Sequence, residues 1–392
     1  MNRPLAGLQL ANVATAAVIG YAGWGDHVMA LGLAPAIAYV WAQSPNRLGA
    51  GLALLAYYAA ISRGLPHGTA VFFGPEASPA WGWVFWLASS LFLALPWLIL
   101  WPAQRRGYWW RVPLALLLVT LPPIGVFGWG NPLTAAGALY PATGWLGLLA
   151  VLALMLAYCY ATASAQPARN ALMVHAALAL SLVYGSLHTQ PAATVQAMDT
   201  KLPGVGIGQY DFARTYANNQ QLIEQARREA APGKTLLFPE TVAGLWLGGT
   251  VKLWQREALP GTIVLGAALQ HPGGDYTNAL VALTGESEQI IYRQRVPVPV
   301  GMWHPWAADS AIAHWRDPGV TTLQGTRYGA LICYEQLLAW PALQTLWHRP
   351  QALIGASNDW WSADTSIPAI QRSVMNAWGR LLGIPVATAF NY

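Results

Sequence analysis

The first half of the chain consists of long apolar runs separated by short polar connections. About 20 apolar residues are needed for a helix to cross the hydrocarbon core of a bilayer, and most of these runs approach that length. We therefore predict an α-helical membrane domain over residues 1–190 with about seven transmembrane helices. The second and third runs are short and form either spans, a tight hairpin or a re-entrant segment. The runs cover residues 5–23, 28–42, 48–62, 82–101, 112–129, 144–163 and 170–188.

From Met198 onward, short apolar segments alternate with amphipathic ones. Residues 211–227 repeat apolar positions at helical spacing, and residues 369–383 are also predicted to be helical. Such alternation of strands and helices is typical of layered α/β proteins, so we predict an α/β domain over residues 191–392. The predicted strands are 204–209, 235–241, 262–269, 277–284, 289–295, 328–334, 352–358 and 385–390.

Composition agrees with a membrane-embedded first half. The chain is 55% hydrophobic and only 9% charged, whereas ordinary soluble domains are about 25% charged.

The orientation in the membrane follows from the positions of the arginines. With seven spans, Arg63 is the only arginine or lysine in the loops opposite the N-terminus. Loss of one span from this count would reverse the orientation. Because arginine and lysine favour the cytoplasmic side, we expect a multi-pass protein of the bacterial inner (cytoplasmic) membrane with its C-terminal domain in the periplasm. The arginines on the N-terminal side are Arg3, Arg47, Arg105, Arg106, Arg111 and Arg169.

Charge and cysteine usage narrow the function classes. The net charge of +5 is spread between apolar runs and not gathered on one face, so we expect no direct binding of nucleic acid. The two cysteines, Cys159 and Cys333, lie in different domains and do not suggest a disulfide framework. His271, His304 and His314 have no ligand-like neighbours in sequence, so we predict neither a metal nor another cofactor.

Three stretches of the second half carry candidate chemistry. Glu240 ends the strand LLFPET, Cys333 and Glu335 lie in ICYE, and SNDWW spans residues 357–361. A thiol at a strand end with a carboxyl group as proton acceptor is the arrangement of a nucleophilic site. The residues alone leave simpler interpretations open: Glu240 as a solvated loop residue or helix-cap neighbour, Cys333 as a small core hydrophobe, and the Asn–Asp pair as a turn.

The order FPET, ICYE, SNDWW, with strands between, resembles the nitrilase (carbon-nitrogen hydrolase) superfamily. Behind a multi-span membrane half, the whole chain is similar to the apolipoprotein N-acyltransferases and, more closely, to a family of conjugal transfer proteins of Ti-type plasmids. The resemblance implies an αββα sandwich with a Glu–Lys–Cys triad. It implies that Cys333 is the nucleophile, Glu240 the general base and Glu335 a supporting acid.

The lysine of that triad is missing. The matching segment reads YRQRVPVPVGM over residues 292–302 and places Gln294 at the lysine position and Met302 where the family has a glutamate. Side chains alternate along a strand, so Arg293 and Arg295 should point away from a site that contains Gln294, unless a bulge intervenes. Glutamine can still donate a hydrogen bond to an oxyanion, but it brings no positive charge.

The resemblance also implies further strands after PVATAFNY, so we expect a sandwich truncated at its C-terminal edge. Two functions stay open. One is a cysteine-dependent lipid acyltransferase or amidase that works through a thioester on a phospholipid or lipidated substrate at the bilayer. The other is a catalytically weak relative with a binding or envelope-assembly role among the conjugation machinery. An unrelated membrane protein with a binding domain is the remaining alternative.

Overall fold

The computed structural model of the protein describes residues 3–203 and 211–392. The chain divides into two compact units. The first comprises the residues up to Gln190 together with Leu337–Trp340 and Asp364–Ile384, and the second comprises the remaining residues. The strand predicted at residues 204–209 lies outside the described residues.

The first unit is helical and packs through buried aromatic and small side chains. Its helices are α1 (Arg3–Gly23), α2 (Ile37–Gln43), α3 (Arg47–Ile61), α4 (Leu65–Phe73), α5 (Ala80–Leu100), α6 (Tyr108–Thr120), α7 (Ala136–Leu139), α8 (Trp145–Ala163), α9 (Pro167–Ser186) and, later in the chain, α13 (Ile367–Leu382). The indole of Trp41 donates to the carbonyl oxygen of Trp97 (2.9 Å). Buried indoles need such partners, so these tryptophans hold α2 and α5 together.

The last helix of the chain, α13, belongs to this helical unit although it follows the predicted catalytic segments. Gly137 of α7 packs so closely on Ala377 that a Cβ at this position would overlap the carbonyl oxygen of Ala377. The guanidinium of Arg380 donates to the carbonyl oxygens of Gly137, Gly185 and His188. These bonds connect α13 to α7 and to the carboxyl end of α9, where backbone carbonyls are available as acceptors.

Two described helices, α5 and α8, are long and apolar enough to cross a membrane. A third span results if α3 and α4, which meet at a bend of 52°, are counted as one. Of the seven predicted runs, helix length and apolarity therefore support two or three in the described part of the chain. The second predicted run is instead a 3-10 helix, Val28–Ala36, followed by the short α2.

The second unit consists of strands and helices. Its described elements are β1 (Val195–Ala197), α10 (Phe212–Glu229), β2 (Thr235–Leu237), α11 (Gly248–Gln255), β3 (Thr262–Gln270), β4 (Tyr276–Thr284), β5 (Ser287–Arg293), β6 (Val320–Leu323), β7 (Thr326–Ile332), α12 (Ala339–Trp347), β8 (Ala352–Asn358) and β9 (Val386–Asn391). The strands form two sheets, with the orders β1–β2–β3–β4–β5 and β6–β7–β8–β9. Neighbouring strands are parallel for β1–β2, β2–β3, β7–β8 and β8–β9, and antiparallel for the others.

The two sheets share one apolar core, and helices cover their outer faces. Val264 of β3, Leu280 of β4 and Ile354 of β8 belong to the core between the sheets. On the outer face of the first sheet, α10 and α11 pack through an apolar cluster that includes Leu222 and Trp254. On the second sheet, Gly329 of β7 lies directly beneath a side chain of α12. This layering is the predicted αββα sandwich.

The edge formed by β9 is hydrogen-bonded on its outer side. The amide of Thr200 donates to the carbonyl oxygen of Phe390 (2.8 Å), and the amide of Tyr392 donates back to Thr200 (3.0 Å). The side chain of Asn391 accepts from the hydroxyl of Thr200 and from the amide of Leu202. The edge at which truncation was expected is therefore covered by the segment around Thr200, and its backbone groups are satisfied there.

Candidate active site

Glu240 lies three residues beyond β2 and is buried, with 4% of its surface exposed. One carboxyl oxygen accepts from the side-chain amide of Asn278 (2.8 Å), and the other accepts from the backbone amide of Asn358 (3.1 Å). The chain can pass here because residue 266 of β3 is glycine: a Cβ there would overlap the backbone of Pro239 and Glu240. These contacts exclude the interpretation of Glu240 as a solvated loop residue.

Cys333 lies at the junction of β7 and a short 3-10 turn, Cys333–Leu337. Its φ of 48° is in the left-handed region, which non-glycine residues rarely adopt outside functional sites and tight turns. The thiol is buried and forms hydrogen bonds with the side chains of Glu240 and Ser357. It also borders the apolar core between the sheets. Cys333 is therefore buried like a core residue, yet it contacts a carboxyl group and a hydroxyl.

Burial dominates the titration of this pair. Burial and, to a smaller extent, the charge of Asp359 raise the pKa of Glu240, and the hydrogen bonds from Cys333 and Asn358 lower it, so that its pKa is about 8. Burial also raises the pKa of the Cys333 thiol, and the carboxyl groups of Glu240 and Asp359 act in the same direction. A low-dielectric site disfavours every charged form, so acid and thiol are mostly neutral together at neutral pH.

Gln294 lies immediately after β5, fully within this buried site. Its amide nitrogen donates to the carbonyl oxygen of Ile332 (3.3 Å), beside the nucleophile position, and its amide oxygen accepts from Asn278 (3.0 Å). The geometry thus brings Gln294, Glu240 and Cys333 together, as the resemblance to the nitrilase superfamily implies. The glutamine occupies this place without the positive charge of a lysine.

Asn278 links two of these residues and was not among the sequence candidates. Its Nδ2 donates both to Glu240 and to Gln294, and its Oδ1 accepts from the hydroxyl of Thr241. Asn278 is buried within β4, between apolar neighbours in TNALVALT. A polar amide inside an apolar strand was the available signal, because a buried amide needs hydrogen-bond partners.

Glu335 lies two residues from Cys333, and its carboxylate binds backbone amides of two segments. Its fully buried carboxylate accepts from the hydroxyl of Tyr292 (2.6 Å) and from the backbone amide of Ile332 (2.8 Å). It also accepts from the amides of Arg295 (2.6 Å) and Val296 (2.9 Å). The carboxylate therefore fixes the turn after β7 to the segment after β5, which carries Gln294.

The two arginines beside Gln294 differ in their surroundings. Arg293 is exposed at the end of β5. Arg295 is fully buried, and its guanidinium donates to the hydroxyls of Tyr292 (3.0 Å) and Thr345 (2.8 Å), with Nε 4.0 Å from the Glu335 carboxylate. The ladder between β4 and β5 does contain a register shift, but it does not turn Arg295 toward Cys333. These contacts are consistent with the prediction that both arginines point away from the site that contains Gln294.

The remaining sequence candidates also find defined places. Asn358 and Asp359 are more than a surface turn, since the amide of Asn358 binds Glu240 and the carboxylate of Asp359 accepts from Ser357 (2.8 Å). Met302 packs on an apolar cluster that contains Tyr276. Burial raises the pKa of the Tyr276 phenol, and the charge of Glu240 acts in the same direction. An apolar side chain thus stands where the resemblance implies a second glutamate.

Two histidines contact the hydroxyl of Thr277 on β4. The Nε2 atoms of His271 and His314 lie 3.0 Å and 3.1 Å from the hydroxyl of Thr277. Among the described residues, no group of three or more His, Cys, Asp or Glu side chains is arranged to hold a metal ion.

The chain is similar to a known hydrolase family and to conjugal transfer proteins. The carbon-nitrogen hydrolase family profile matches residues 272–380, a range that contains Gln294, Cys333 and Asp359. The conjugal transfer protein TraB of Agrobacterium fabrum (strain C58) is 36% identical over 399 residues, which cover 95% of this chain and 90% of that protein. A probable conjugal transfer protein TraB of Sinorhizobium fredii (strain NGR234) is 33% identical, covering 95% of this chain and 96% of that protein.

Two solved structures are among those that resemble part of this chain. An amidase from Nesterenkonia AN1 shares 13% identity, covers 52% of this chain and 79% of its own, and has a TM-score of 0.34. A carbon-nitrogen hydrolase from Helicobacter pylori G27 shares 16% identity, covers 50% of this chain and 72% of its own, and has a TM-score of 0.35.

Proposed function

This chain belongs to the TraB family of conjugal transfer proteins and carries a carbon-nitrogen hydrolase domain, and from this premise we propose that it is a membrane-bound, cysteine-dependent acyl-transfer enzyme of plasmid conjugation. One observation carries the proposal: the thiol of Cys333, at a strained strand-to-turn junction, is hydrogen-bonded to the buried carboxyl group of Glu240. Nucleophile and base within hydrogen-bond reach of each other are the minimal requirement for covalent acyl transfer.

The chemistry proceeds in two steps. Glu240 accepts the thiol proton while the sulfur of Cys333 attacks the carbonyl carbon of an ester or amide. The oxyanion collapses, the bond to the leaving alcohol or amine breaks, and Glu240 returns its proton to that leaving group. A thioester remains on Cys333. An incoming amine or water then gives its proton to Glu240 and attacks the thioester carbonyl carbon, the carbon–sulfur bond breaks, and Glu240 returns the proton to the sulfur of Cys333.

The pKa of Glu240 suits both halves of this cycle. A general base works best when its pKa lies near the operating pH, and burial raises the pKa of Glu240 to about 8. Gln294 stands where an amide N–H can be turned to the oxyanion, since its nitrogen already donates beside the nucleophile. A neutral donor stabilises an oxyanion less than a lysine does, so we expect a slow enzyme.

A lipid acyl donor fits the composition of the chain. The apolar helices α5 and α8 are long enough to span a bilayer, and they would anchor the protein in the membrane. Counted over the seven spans predicted from the sequence, the bias of arginines toward the N-terminal side supports a multi-pass inner-membrane protein with its catalytic unit in the periplasm. We propose a phospholipid as donor and an amine or water as acceptor.

The test is acyl labelling in membranes that contain the protein, with an alkyne-tagged phospholipid as probe. Wild type should acquire a label that hydroxylamine removes, because thioesters are cleaved by this reagent. Cys333→Ala and Glu240→Gln should lose the label. Cys159→Ala should retain it, because Cys159 is buried in α8, where its thiol contacts the carbonyl oxygen of Ala38.

Absence of any label on folded wild-type protein would favour the second candidate, a catalytically weak relative with a binding or assembly role in conjugation. The uncharged Gln294 and the raised pKa of Cys333 favour this candidate. A mating assay, which measures plasmid transfer between strains, distinguishes the enzyme proposal from the assembly proposal. Under the enzyme proposal, a strain whose only copy is Cys333→Ala transfers plasmid as poorly as the deletion strain. Under the assembly proposal, it transfers like wild type.

A further inference from the structure

Ser357 lies beside the nucleophile because of the register between two parallel strands. Ile332 of β7 pairs with Ala356 of β8, so the next residue on each strand, Cys333 and Ser357, emerges at the same edge of the sheet. The two side chains form a hydrogen bond. Both are buried, so this contact persists without competition from bulk water.

The hydroxyl of Ser357 has a second partner. It donates to the carboxylate of Asp359 (2.8 Å), which is also fully buried. A serine hydroxyl carries a single hydrogen, so it can donate to one acceptor at a time. When its hydrogen points to Asp359, Ser357 offers the sulfur of Cys333 only a lone pair. That arrangement suits a thiol and disfavours a thiolate.

We propose that Ser357 is the hydrogen-bond donor to the Cys333 thiolate, and that Asp359 is a positioning residue that keeps this donor turned away until the nucleophile forms. The inference rests on the proposed role of Cys333 as nucleophile. When the thiol proton passes to Glu240, the Ser357 O–H turns from Asp359 to the sulfur. The thiol proton is then on Glu240, the hydroxyl proton stays on Ser357, and only the acceptor of the Ser357 hydrogen bond changes.

The charges around the sulfur explain why such a donor matters here. Glu240 follows β2, Asp359 follows β8, and Glu335 lies in the turn after β7, where Arg295 faces it. The guanidinium is thus engaged by Glu335, and two other carboxyl groups border the thiol. Glu240 and Asp359 raise the pKa of Cys333, whereas the bond from Ser357 lowers it. With Gln294 at the lysine position, a hydroxyl donor supports the negative sulfur in place of a charge.

The experiment measures the rate of Cys333 alkylation by iodoacetamide against pH, on full-length protein in detergent, with mass spectrometry to separate Cys333 from Cys159. Ser357→Ala should slow alkylation at mildly alkaline pH by about tenfold, the effect of losing one hydrogen bond to a charged group. Asp359→Asn should accelerate it by about tenfold, because the hydroxyl is released and a neighbouring negative charge is removed. The proposal therefore predicts that these two substitutions change the alkylation rate of Cys333 in opposite directions.

Ser362→Ala is the matched control. Ser362 is a buried serine whose hydroxyl donates to the backbone carbonyl oxygen of Asp359. Its alkylation profile should match that of wild type. If Ser357→Ala and Asp359→Asn both slow alkylation, or if neither changes it, the proposal is wrong and the pair is structural. Ultraviolet thiolate absorbance, taken as the difference from each variant's Cys333→Ala counterpart, gives the same titration without access of a reagent.

This outcome is independent of acyl transfer itself. Opposite shifts of the thiol titration in a protein that acquires no acyl label would support the Ser357 donor and reject the acyl-transfer function. Acyl labelling of wild type, combined with equal titrations in all three variants, would support that function and reject the donor.

Discussion

Replacing Gln294 by lysine should convert a slow site into a faster one. The amide oxygen of Gln294 and a carboxyl oxygen of Glu240 both lie within 3.0 Å of the same nitrogen, Nδ2 of Asn278. A lysine ammonium at this position would stand on the order of 4 Å from Glu240, which at an effective dielectric constant of about 20 gives an attraction of roughly 4 kcal/mol. That energy corresponds to about three pKa units.

The expected gain follows from two contributions. With a pKa of about 8, Glu240 is ionised in roughly one molecule in ten at pH 7, so ionising it fully raises the supply of base about tenfold. A charged donor next to the oxyanion adds a factor of about 100. Hydroxylamine-sensitive labelling of Gln294→Lys at pH 7 should therefore exceed that of wild type by about 1000-fold, and its pH dependence should flatten above neutral pH.

Gln294→Met is the matched control, since methionine has similar length and no charge, and it should show no gain. Melting temperatures of both variants establish that each is folded. If folded Gln294→Lys labels at the wild-type rate with the wild-type pH profile, the missing charge is not what limits this site. The assignment of Gln294 to the lysine position would then be refuted.

Further predictions concern the residues that hold the pair in place. Asn278→Ala removes a donor to Glu240 and should reduce acyl labelling at pH 7 by about tenfold, measured against the Glu240→Gln background, in which Asn278→Ala should add little. The free energy of unfolding should fall as pH rises from about 4.5 to about 8, because folded protein retains a proton on Glu240 that the unfolded chain has released. Chemical denaturation of Glu240→Gln should show a shallower slope across this window, and an unchanged slope would contradict the raised pKa. Glu335→Ala leaves Arg295 buried without its carboxylate and should destabilise the second unit by about 3–5 kcal/mol, seen as a lower melting temperature than that of the exposed-site variant Glu286→Ala.

Much of the site was predictable from the chain itself because short motifs have local causes. The strands that precede Glu240 and Cys333, and the strand that ends with Ser357 and Asn358, are apolar runs that must be buried. Their polar residues therefore stand at strand ends. The helix α10 was predicted at residues 211–227 and extends over Phe212–Glu229, with Asp211 capping its first turn. Family membership followed from the order of the motifs and is confirmed by relatives that match most of the chain.

Tertiary structure alone decided which polar residues share a hydrogen-bond network. Asn278 joins Glu240 to Gln294 across strands far apart in sequence, and Glu335 turns out to anchor two backbone segments although it lies two residues from the nucleophile. Hydropathy likewise predicted seven spans, whereas length and apolarity support two or three in the described residues.

The physical reason is that apolar burial and local conformation are set by nearest neighbours, while hydrogen-bond partners depend on strand register and sheet pairing. The sequence of this protein determined that a thiol, two carboxyl groups and an uncharged amide would stand at strand ends. Only the fold determined that the thiol lies between Glu240 and Ser357, with Arg295 committed to Glu335.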